Sequence, residues 1–288
     1  MPVALSVAGS DSGAGAGVQA DLLTFSGCEV FGTSAISALT AQNPDGVTDV
    51  HPTPPTNLAQ QISQVMDFFE VKGVKTGMLP SEEIVNVVRD CLAGTREISL
   101  VVDPVLAATS GSKLAGDCAF EAMKSQLFPR ATLVTPNLDE TEALTGERPN
   151  NVDELIEAAK ILVEKFQTSF LLKGGHMDGE NVYDILAQKD GSLKTFSSPR
   201  VNNVDTHGSG CTLSAAITAY LARGEGLVEA VLQGREYLLK GLKNPLQVGG
   251  KPVHRGDGLV VIDSRADGHG SPALEILKKR FENFACGR

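Results

Sequence analysis

The chain has 288 residues, of which 42% are hydrophobic, and its formal net charge at pH 7 is −10. Such an acidic chain lacks the basic face that binding to nucleic acid or to a membrane surface requires. No apolar run is long enough to span a bilayer, and the first residues lack the basic start and long apolar core of a signal peptide. The composition therefore favours a globular protein that buries a large core.

The five cysteines are far apart and form neither a CxxC pair nor a cluster with histidine. This spacing argues against a disulfide framework and against a structural zinc site. Free cysteines are typical of a reducing compartment, so we expect a cytoplasmic protein.

In chain order, short apolar runs alternate with helical patterns. The runs predict strands at residues 3–7, 29–39, 74–79, 98–102, 132–135 and 169–172, and a hairpin at residues 182–188 and 193–197. The helical patterns predict helices at residues 18–25, 57–69, 81–92, 118–127, 138–144, 151–166 and 227–242, and near residues 272–284. Ser81, Asp117 and Asn151 are placed to cap three of these helices. The prolines at positions 52, 54 and 55 predict an extended loop.

The alternation of strands and helices predicts an α/β fold with a mostly parallel central sheet and helices on both faces. No break in composition resembles a linker. We therefore expect one domain over residues 1–264, followed by a tail over residues 265–288 that contains a short helix.

Residues 202–223 contain a glycine turn at positions 208–210 that leads directly into a helical pattern. The N-terminus of such a helix offers unpaired N–H groups and the positive end of the helix dipole, and both suit a phosphate group. Cys211 lies at this N-terminus, where we expect the pKa of its thiol to fall. A tightly packed turn before a core helix explains the same pattern equally well.

Polar and glycine residues also follow most of the other predicted strands. Ligands of open α/β sheets bind beyond the carboxyl ends of the strands. The glycines after the first strand have the spacing GxGxG rather than the dinucleotide-binding GxGxxG, and no P-loop motif occurs. Lys173 supplies a cation, and Asp103 and Glu140 supply carboxylates that can hold Mg²⁺ through water. Together with the glycine turn, these residues provide what phosphoryl transfer needs.

Seven segments, taken in order, resemble the hydroxymethylpyrimidine/phosphomethylpyrimidine kinases of thiamine biosynthesis. They are AGSDSGAGAGVQAD at residues 8–21, TAQN at 40–43, GML at 77–79, VVDPVLAATSGSKL at 101–114, TPNLDETEALTG at 135–146, LLKGGH at 171–176 and THGSGCTLSAA at 206–216. The resemblance runs over residues 3–262. It implies the ribokinase-like α/β/α sandwich, which binds ATP without a P-loop.

The resemblance implies two successive reactions that use ATP and Mg²⁺. The hydroxymethyl group of the pyrimidine becomes a phosphate ester, and the ester then becomes a diphosphate. We accordingly expect a small-molecule pyrimidine and ATP as partners, no nucleic acid and no membrane, and a homodimer.

The resemblance also implies roles for individual residues. Those expected to line the pyrimidine pocket are Gly9, Asp21, Gln42, Met78 and Val105, with Gln42 bonding the aminopyrimidine edge. Those expected to bind the phosphates of ATP are Asn137, Lys173, Thr206, Gly208 and Gly210. Those expected on the Mg²⁺ side are Asp103 and Glu140. Those expected to carry the transfer are Lys173, the anion-hole residues Gly208, Ser209 and Gly210, and Cys211, which stands where many members of the superfamily have an aspartate base.

Two alternatives stay open at this point. Relatives of the family phosphorylate pyridoxal, and a thiol at position 211 could also meet an aldehyde, so a pyridoxal kinase is the first. The second is a non-catalytic binding protein that keeps the fold. His207 is either a loop residue or a ligand contact.

Overall fold

The computed structural model describes residues 1–43, 46–95, 97–107, 114–202, 204 and 206–244. Within these residues, nine strands form a single sheet in the order β3-β2-β1-β4-β5-β6-β7-β8-β9. Their bounds are β1 Val3–Asp11, β2 Phe31–Asn43, β3 Gly46–Pro52, β4 Val71–Thr76, β5 Ser99–Val102, β6 Leu133–Val134, β7 Phe170–Lys173, β8 Asn181–Ala187 and β9 Leu193–Pro199.

The centre of the sheet is parallel and its two edges are antiparallel. Strands β2, β1, β4, β5, β6 and β7 run parallel to one another. Strand β3 pairs antiparallel with β2 at one edge, and β8 and β9 form an antiparallel hairpin next to β7 at the other. The predicted mostly parallel sheet and the predicted hairpin are both confirmed.

Eight α-helices lie within the described residues. Their bounds are α1 Gly17–Gly27, α2 Pro55–Phe68, α3 Glu82–Cys91, α4 Asp117–Ala122, α5 Leu138–Thr145, α6 Val152–Phe166, α7 Ser209–Ala222 and α8 Leu227–Lys243. A wide helical turn, Met123–Leu127, and a 3₁₀ turn, Phe128–Arg130, continue α4. None of the helices described here is long and apolar enough to cross a membrane.

The helices cover both faces of the sheet. Helices α1, α7 and α8 pack together on one face, and α2, α3, α4 and α6 cover the other. Strand β1 shows the alternation that this requires, because Leu5 and Val7 join the core on one side while Ala4 joins the core on the other. Burial on both faces explains why β5 is almost wholly apolar.

Two of the three predicted helix caps are confirmed. The Ser81 side chain accepts the Ile84 N–H, and the Asn151 side chain accepts the Glu154 N–H. The prediction for Asp117 is wrong, because α4 begins at Asp117 itself and Gly116 precedes it as the N-cap. A carboxylate in the first turn still interacts favourably with the helix dipole, which accounts for an acidic residue there.

The chain between the first two helices differs from the prediction. Strand β2 continues to Asn43 and pairs with β3, so a hairpin replaces the expected loop. Pro52 is compatible with β3 because it ends an edge strand, where no neighbouring strand needs its missing N–H. The consequence is that Gln42 lies on a paired strand. The tail predicted at residues 265–288, with its short helix, lies outside the described residues.

Candidate active site

A cavity of about 400 Å³ opens at the carboxyl ends of β1, β4, β5 and β7 and at the N-terminus of α7. Every site residue predicted from the sequence lines it except Asp21. The lining includes Gly9, Gln42, Met78, Asp103, Val105, Asn137, Glu140, Lys173, Thr206, Gly208, Ser209, Gly210 and Cys211. Strand ends from distant parts of the chain therefore converge on one space, as expected for an open α/β sheet.

The glycine turn holds the N-terminus of α7 towards this cavity. Gly208 has φ 76°, in the left-handed region, and α7 starts at Ser209. The Ser209 N–H donates to the Thr206 carbonyl at 3.0 Å and closes the turn. The first turn of α7 carries no acidic side chain. The positive end of the helix dipole is therefore available to an anion.

Gly210 brings this turn close to Lys173 and Asp103. A Cβ built on Gly210 would lie 3.4 Å from Lys173 Nζ and 3.8 Å from Asp103 Oδ2. The helix N-terminus and the Lys173 cation thus face the same small volume. Two positive features around one volume favour a multiply charged anion such as a phosphate chain.

Lys173 and Asp103 form a largely buried ion pair. The Lys173 Nζ lies 2.9 Å from Asp103 Oδ1, and the two side chains are 14% and 3% exposed. Burial alone would raise the pKa of Asp103, but the charges of Lys173 and Lys75 hold it below its usual range. Asp103 is further fixed by the Thr135 hydroxyl at 3.1 Å. The carboxylate is therefore ionised and oriented before any ligand arrives.

Glu140 and Asn137 form a capping box at the start of α5. The Glu140 N–H donates to Asn137 Oδ1 at 2.9 Å, and the Asn137 N–H donates to Glu140 Oε2 at 2.8 Å. Burial raises the pKa of Glu140 to about 8, which the Lys173 charge offsets only in part. The local role of both residues is thus to start a helix, and the same arrangement presents their polar atoms to the cavity.

Asp21 is a correction to the predicted pyrimidine pocket. Its side chain is fully buried beneath the cavity wall, where both carboxylate oxygens lie 2.9 Å from Lys75 Nζ. The Ser6 hydroxyl donates to the same carboxylate at 2.5 Å. Burial alone would lower the pKa of Lys75, but the Asp21 carboxylate raises it, so Lys75 stays charged. Asp21 supports Lys75 rather than contacting the cavity directly.

Lys75 was missed in the sequence although a signal was present. Lys75, the last residue but one of β4, has no exposed atoms and therefore needs a partner carboxylate. Its charge acts on Cys211 and Asp103 through the low-dielectric interior. An ionisable residue inside a predicted buried strand would have pointed to this pair.

The pKa of the Cys211 thiol differs from the expectation that it would fall. Burial raises its pKa, and the positive charge of Lys75 offsets this only in part. The helix N-terminus does not prevail because the effect of burial on this half-buried side chain outweighs it. The thiol therefore keeps its proton at neutral pH.

Gln42, His207 and Asp11 form a polar group on the side of the cavity that Met78 also lines. Gln42 Nε2 lies 3.4 Å from His207 Nε2, and Asp11 Oδ2 lies 3.5 Å from the same nitrogen. Asp11 also accepts the N–H groups of Gly13 and Ala16, each at 2.8 Å, and so shapes the glycine loop after β1. Asp11 was seen in the sequence only as part of that loop.

A third buried ion pair borders the cavity near Lys173. Arg235 Nε on α8 lies 2.7 Å from Asp184 Oδ2 on β8. The other oxygen of Asp184 accepts the Gly174 N–H at 3.0 Å, directly after Lys173. The pair therefore fixes the backbone that carries the cavity's cation. No sequence pattern predicts an ion pair between two residues so far apart in the chain.

Comparison with known proteins identifies relatives over most of the chain. The family model for phosphomethylpyrimidine kinase matches residues 11–255. The hydroxymethylpyrimidine/phosphomethylpyrimidine kinase of Haemophilus influenzae is 43% identical over 85% of this chain and 92% of its own length.

Solved structures of two kinases are also similar to this chain. Phosphomethylpyrimidine kinase from Clostridium difficile 630 superposes with a TM-score of 0.73 and is 38% identical, covering 83% of this chain and 98% of that one. Pyridoxal kinase from Staphylococcus aureus, in complex with AMP-PCP and pyridoxal, gives a TM-score of 0.77 at 32% identity, covering 87% of this chain and 91% of that one.

Proposed function

Because the chain belongs to the phosphomethylpyrimidine kinase family, we infer that the strand-end cavity phosphorylates 4-amino-5-hydroxymethyl-2-methylpyrimidine with ATP. The product ester is then phosphorylated again to the diphosphate for thiamine biosynthesis. The fold is the ribokinase-like α/β/α sandwich, in agreement with the solved relatives. The observation that carries the proposal is the glycine turn of α7 facing Lys173 in the cavity that Gln42 and Met78 line.

We assign the phosphates of ATP to the side of the cavity near Lys173. The kinase relatives include a structure with AMP-PCP and one with ADP, which supports ATP as the donor. Lys173 neutralises phosphate charge, while the N–H groups of Gly210 and Cys211, next to the Ser209 N–H that closes the turn, receive the transferred group. Asn137 and Thr206 border the same space and can donate to phosphate oxygens.

The carboxylates present fit Mg²⁺ only together with phosphate oxygens. No group of three or more histidine, cysteine, aspartate or glutamate side chains that could hold a metal occurs in the described part of the chain. Mg²⁺ is commonly held by one or two carboxylates plus substrate phosphates and water. Asp103 and Glu140 would supply such a pair once Glu140, whose pKa burial raises to about 8, gives up its proton in response to the incoming ion's charge. They would hold the ion on the phosphate side, where it neutralises phosphate charge.

The pyrimidine would then occupy the side of the cavity lined by Gly9, Gln42, Met78 and Val105. Met78 and Val105 offer apolar surface to a flat ring, and Gln42 offers a carboxamide to its polar edge. A ring placed there would share the cavity with the turn of α7, within which its hydroxymethyl group would have to meet the transferred phosphate. Donor and acceptor are thus arranged on opposite sides of residues 208–211.

The two reactions make different demands on a base. In the first, the hydroxyl oxygen attacks the γ-phosphorus, the bond between that phosphorus and the β–γ bridging oxygen breaks, and ADP leaves. The hydroxyl proton departs late in a loose transition state and can pass to an oxygen of the transferred phosphoryl group. In the second, the attacking oxygen belongs to a phosphate that is already deprotonated. Because the Cys211 thiol keeps its own proton, we assign Cys211 to the anion hole through its backbone N–H.

Pyridoxal phosphorylation is the second candidate, and the structural likeness to the Staphylococcus aureus pyridoxal kinase supports it. ATP consumption should be measured with hydroxymethylpyrimidine, its monophosphate and pyridoxal under identical conditions. We expect turnover with both pyrimidines at a higher kcat/KM than with pyridoxal. Turnover with pyridoxal alone would overturn the assignment. No turnover with any of the three would support a binding protein of the same fold.

A homodimer and a cytoplasmic location are the remaining expectations. Both stay proposals, and the first is tested by sedimentation of the purified chain.

A further inference from the structure

The carboxamide of Gln42 is held between two neighbours. One end, Nε2, lies 3.4 Å from His207 Nε2, and the other end, Oε1, lies 3.1 Å from Thr40 Oγ1. The backbone of Gln42 is fixed separately, since its N–H donates to Ser12 Oγ at 2.8 Å and its carbonyl accepts the Ser12 hydroxyl at 2.7 Å. The remaining question is which end of the amide is oxygen and which is nitrogen, because a half turn of the group exchanges the two.

The proton of Thr40 decides what can face it. A hydroxyl has one proton to donate, and the Ser10 carbonyl, 2.9 Å from Thr40 Oγ1, can only accept it. The Thr40 oxygen is then left as an acceptor towards Gln42. The amide group that suits this position is NH₂, not oxygen.

Asp11 leads to the same orientation from the other side. The two backbone N–H groups that donate to Asp11 are those of Gly13 and Ala16. Burial raises the pKa of Asp11, but the hydrogen bonds from His207 and these N–H groups hold it below its usual value. The group is therefore an ionised acceptor, and His207 Nε2 must face it with its single N–H, which Asp11 at 3.5 Å and the Gln42 amide at 3.4 Å then share. The Gln42 atom next to that N–H should be oxygen.

We propose that His207 is a specificity-determining residue, because its Nε2–H fixes the Gln42 oxygen on its own side and leaves the NH₂ group facing Thr40. The outer edge of the amide then offers one lone pair and one N–H in a fixed order. An aminopyrimidine offers the matching order, with an amino donor beside a ring-nitrogen acceptor. The inference rests on the proposed function, since it takes Gln42 as the residue that binds the pyrimidine.

A substrate analogue with the reversed order of donor and acceptor provides the sharpest test. The 4-oxo analogue of hydroxymethylpyrimidine carries a carbonyl acceptor beside a ring N–H donor, which is the opposite order. A fixed amide meets it with like groups facing each other, whereas an amide free to turn can bind either compound. Sites that hydrogen-bond a substrate reject a mismatched analogue by large factors, so we expect the wild type to prefer the amino compound at least about 100-fold in kcat/KM.

His207→Phe keeps a ring of similar size and removes the N–H. We expect the amino-over-oxo preference to fall about tenfold or more in this variant, while KM for ATP stays within about twofold. His207→Gln restores a donor and should recover most of the preference. Thr40→Val removes the other neighbour and should also lower the preference. His51→Phe, a change at an exposed histidine on β3, is the matched control and should leave the ratio unchanged.

The outcomes separate the inference from the proposed function. An unchanged preference in His207→Phe overturns the inference alone. If the preference falls in His207→Phe but stays in Thr40→Val, the Gln42 amide is not held in one orientation by both neighbours. The inference is then overturned as well. Failure of the wild type to phosphorylate the amino compound overturns the proposed function and this inference with it.

Discussion

At the scale of single residues, Lys173 is the cation on which ATP use should depend. It pairs with Asp103 at 2.9 Å and faces Gly210 of the glycine turn. We predict that Lys173→Ala raises KM for ATP at least about tenfold and lowers kcat about 100-fold, because the variant leaves the Asp103 charge unpaired beside the phosphates. Steady-state kinetics measures both parameters.

Lys173→Ala should leave pyrimidine binding unchanged. Calorimetric titration with hydroxymethylpyrimidine should give the same Kd for Lys173→Ala as for the wild type, within about twofold. Lys160→Ala, at an exposed position on α6, is the matched control and should leave all constants unchanged. Weaker pyrimidine binding with normal KM for ATP would show that the two half-sites are exchanged.

Cys211 gives a prediction that separates side chain from backbone. Its thiol is protonated because burial raises its pKa, so removing the sulfur should not remove a base. We predict that Cys211→Ala slows both phosphorylation steps equally, by no more than about threefold. The steps are measured separately, with hydroxymethylpyrimidine and with its monophosphate. A loss confined to the first step would restore the thiol as its base.

Asp11 gives a prediction about pH. Its pKa is lower in the folded protein than in the unfolded chain, so the folded state binds fewer protons and the carboxylate stabilises the fold above the unfolded pKa. This contribution is lost as the pH falls through the folded pKa. We predict that Asp11→Asn costs about 1–2 kcal/mol at pH 7, because an amide cannot accept both backbone N–H groups.

Urea unfolding at several pH values tests the sign. The difference between Asp11→Asn and the wild type should be constant at neutral pH and shrink below about pH 4, near the ordinary pKa of aspartate. Asp67→Asn, at an exposed position on α2, should show no such trend. A difference that grows on acidification would contradict the assignment.

At the scale of elements, the first turn of α7 can be tested without disturbing the fold. Gly210 lies outside the left-handed region, and a methyl group there would make only ordinary contacts with Lys173 and Asp103. We predict that Gly210→Ala leaves the unfolding free energy unchanged within about 0.5 kcal/mol. The kcat/KM should fall at least about tenfold, because the methyl occupies the space of the transferred phosphate.

Gly234→Ala on α8 is the contrasting variant. A Cβ at that position would lie 2.8 Å from Ile217 Cγ1. Overpacking of this kind costs about 1–3 kcal/mol, and it lies away from the turn. We expect reduced stability with normal kinetics for the folded fraction. If Gly210→Ala loses stability and keeps its activity, the turn is a packed turn rather than a phosphate site.

Elements whose signals are local could be predicted from the sequence. The apolar run of β5 and the cap of α6 at Asn151 depend on neighbouring residues, and both are found near the expected positions. Strand β3 was missed because its partner, β2, supplies the pairing that its own polar sequence does not indicate. Asp117 was misplaced by one residue, since a first-turn carboxylate and a capping carboxylate look alike in sequence.

Contacts between residues far apart in the chain limit how much of the site can be predicted from the sequence. The predicted site residues other than Asp21 followed from the family resemblance and from motifs at strand ends, but the Asp21–Lys75 pair joins α1 to β4 and appears only in the folded chain. The Asp184–Arg235 pair likewise joins β8 to α8. The pKa of Cys211 is raised by burial, and no local pattern reports burial of a residue at a helix N-terminus.

At the scale of the whole molecule, the family match ends at residue 255, before the predicted tail. Within the residues that the structure describes, which end at 244, the cavity wall reaches Leu242 and the core clusters reach Leu238. A chain cut after residue 264 should therefore keep kcat within about twofold.

The same shortened chain tests the expected homodimer. We predict that sedimentation gives a dimer for both lengths, because the predicted domain, residues 1–264, is complete in each. Its thermal unfolding midpoint should stay within about 2 °C of the full chain, since a shift of that size already corresponds to roughly 0.5–1 kcal/mol in a domain of this length. A shortened chain that is monomeric, or that unfolds well below the full chain, would show that the last 24 residues are part of the folded unit and that the domain boundary at residue 264 is wrong.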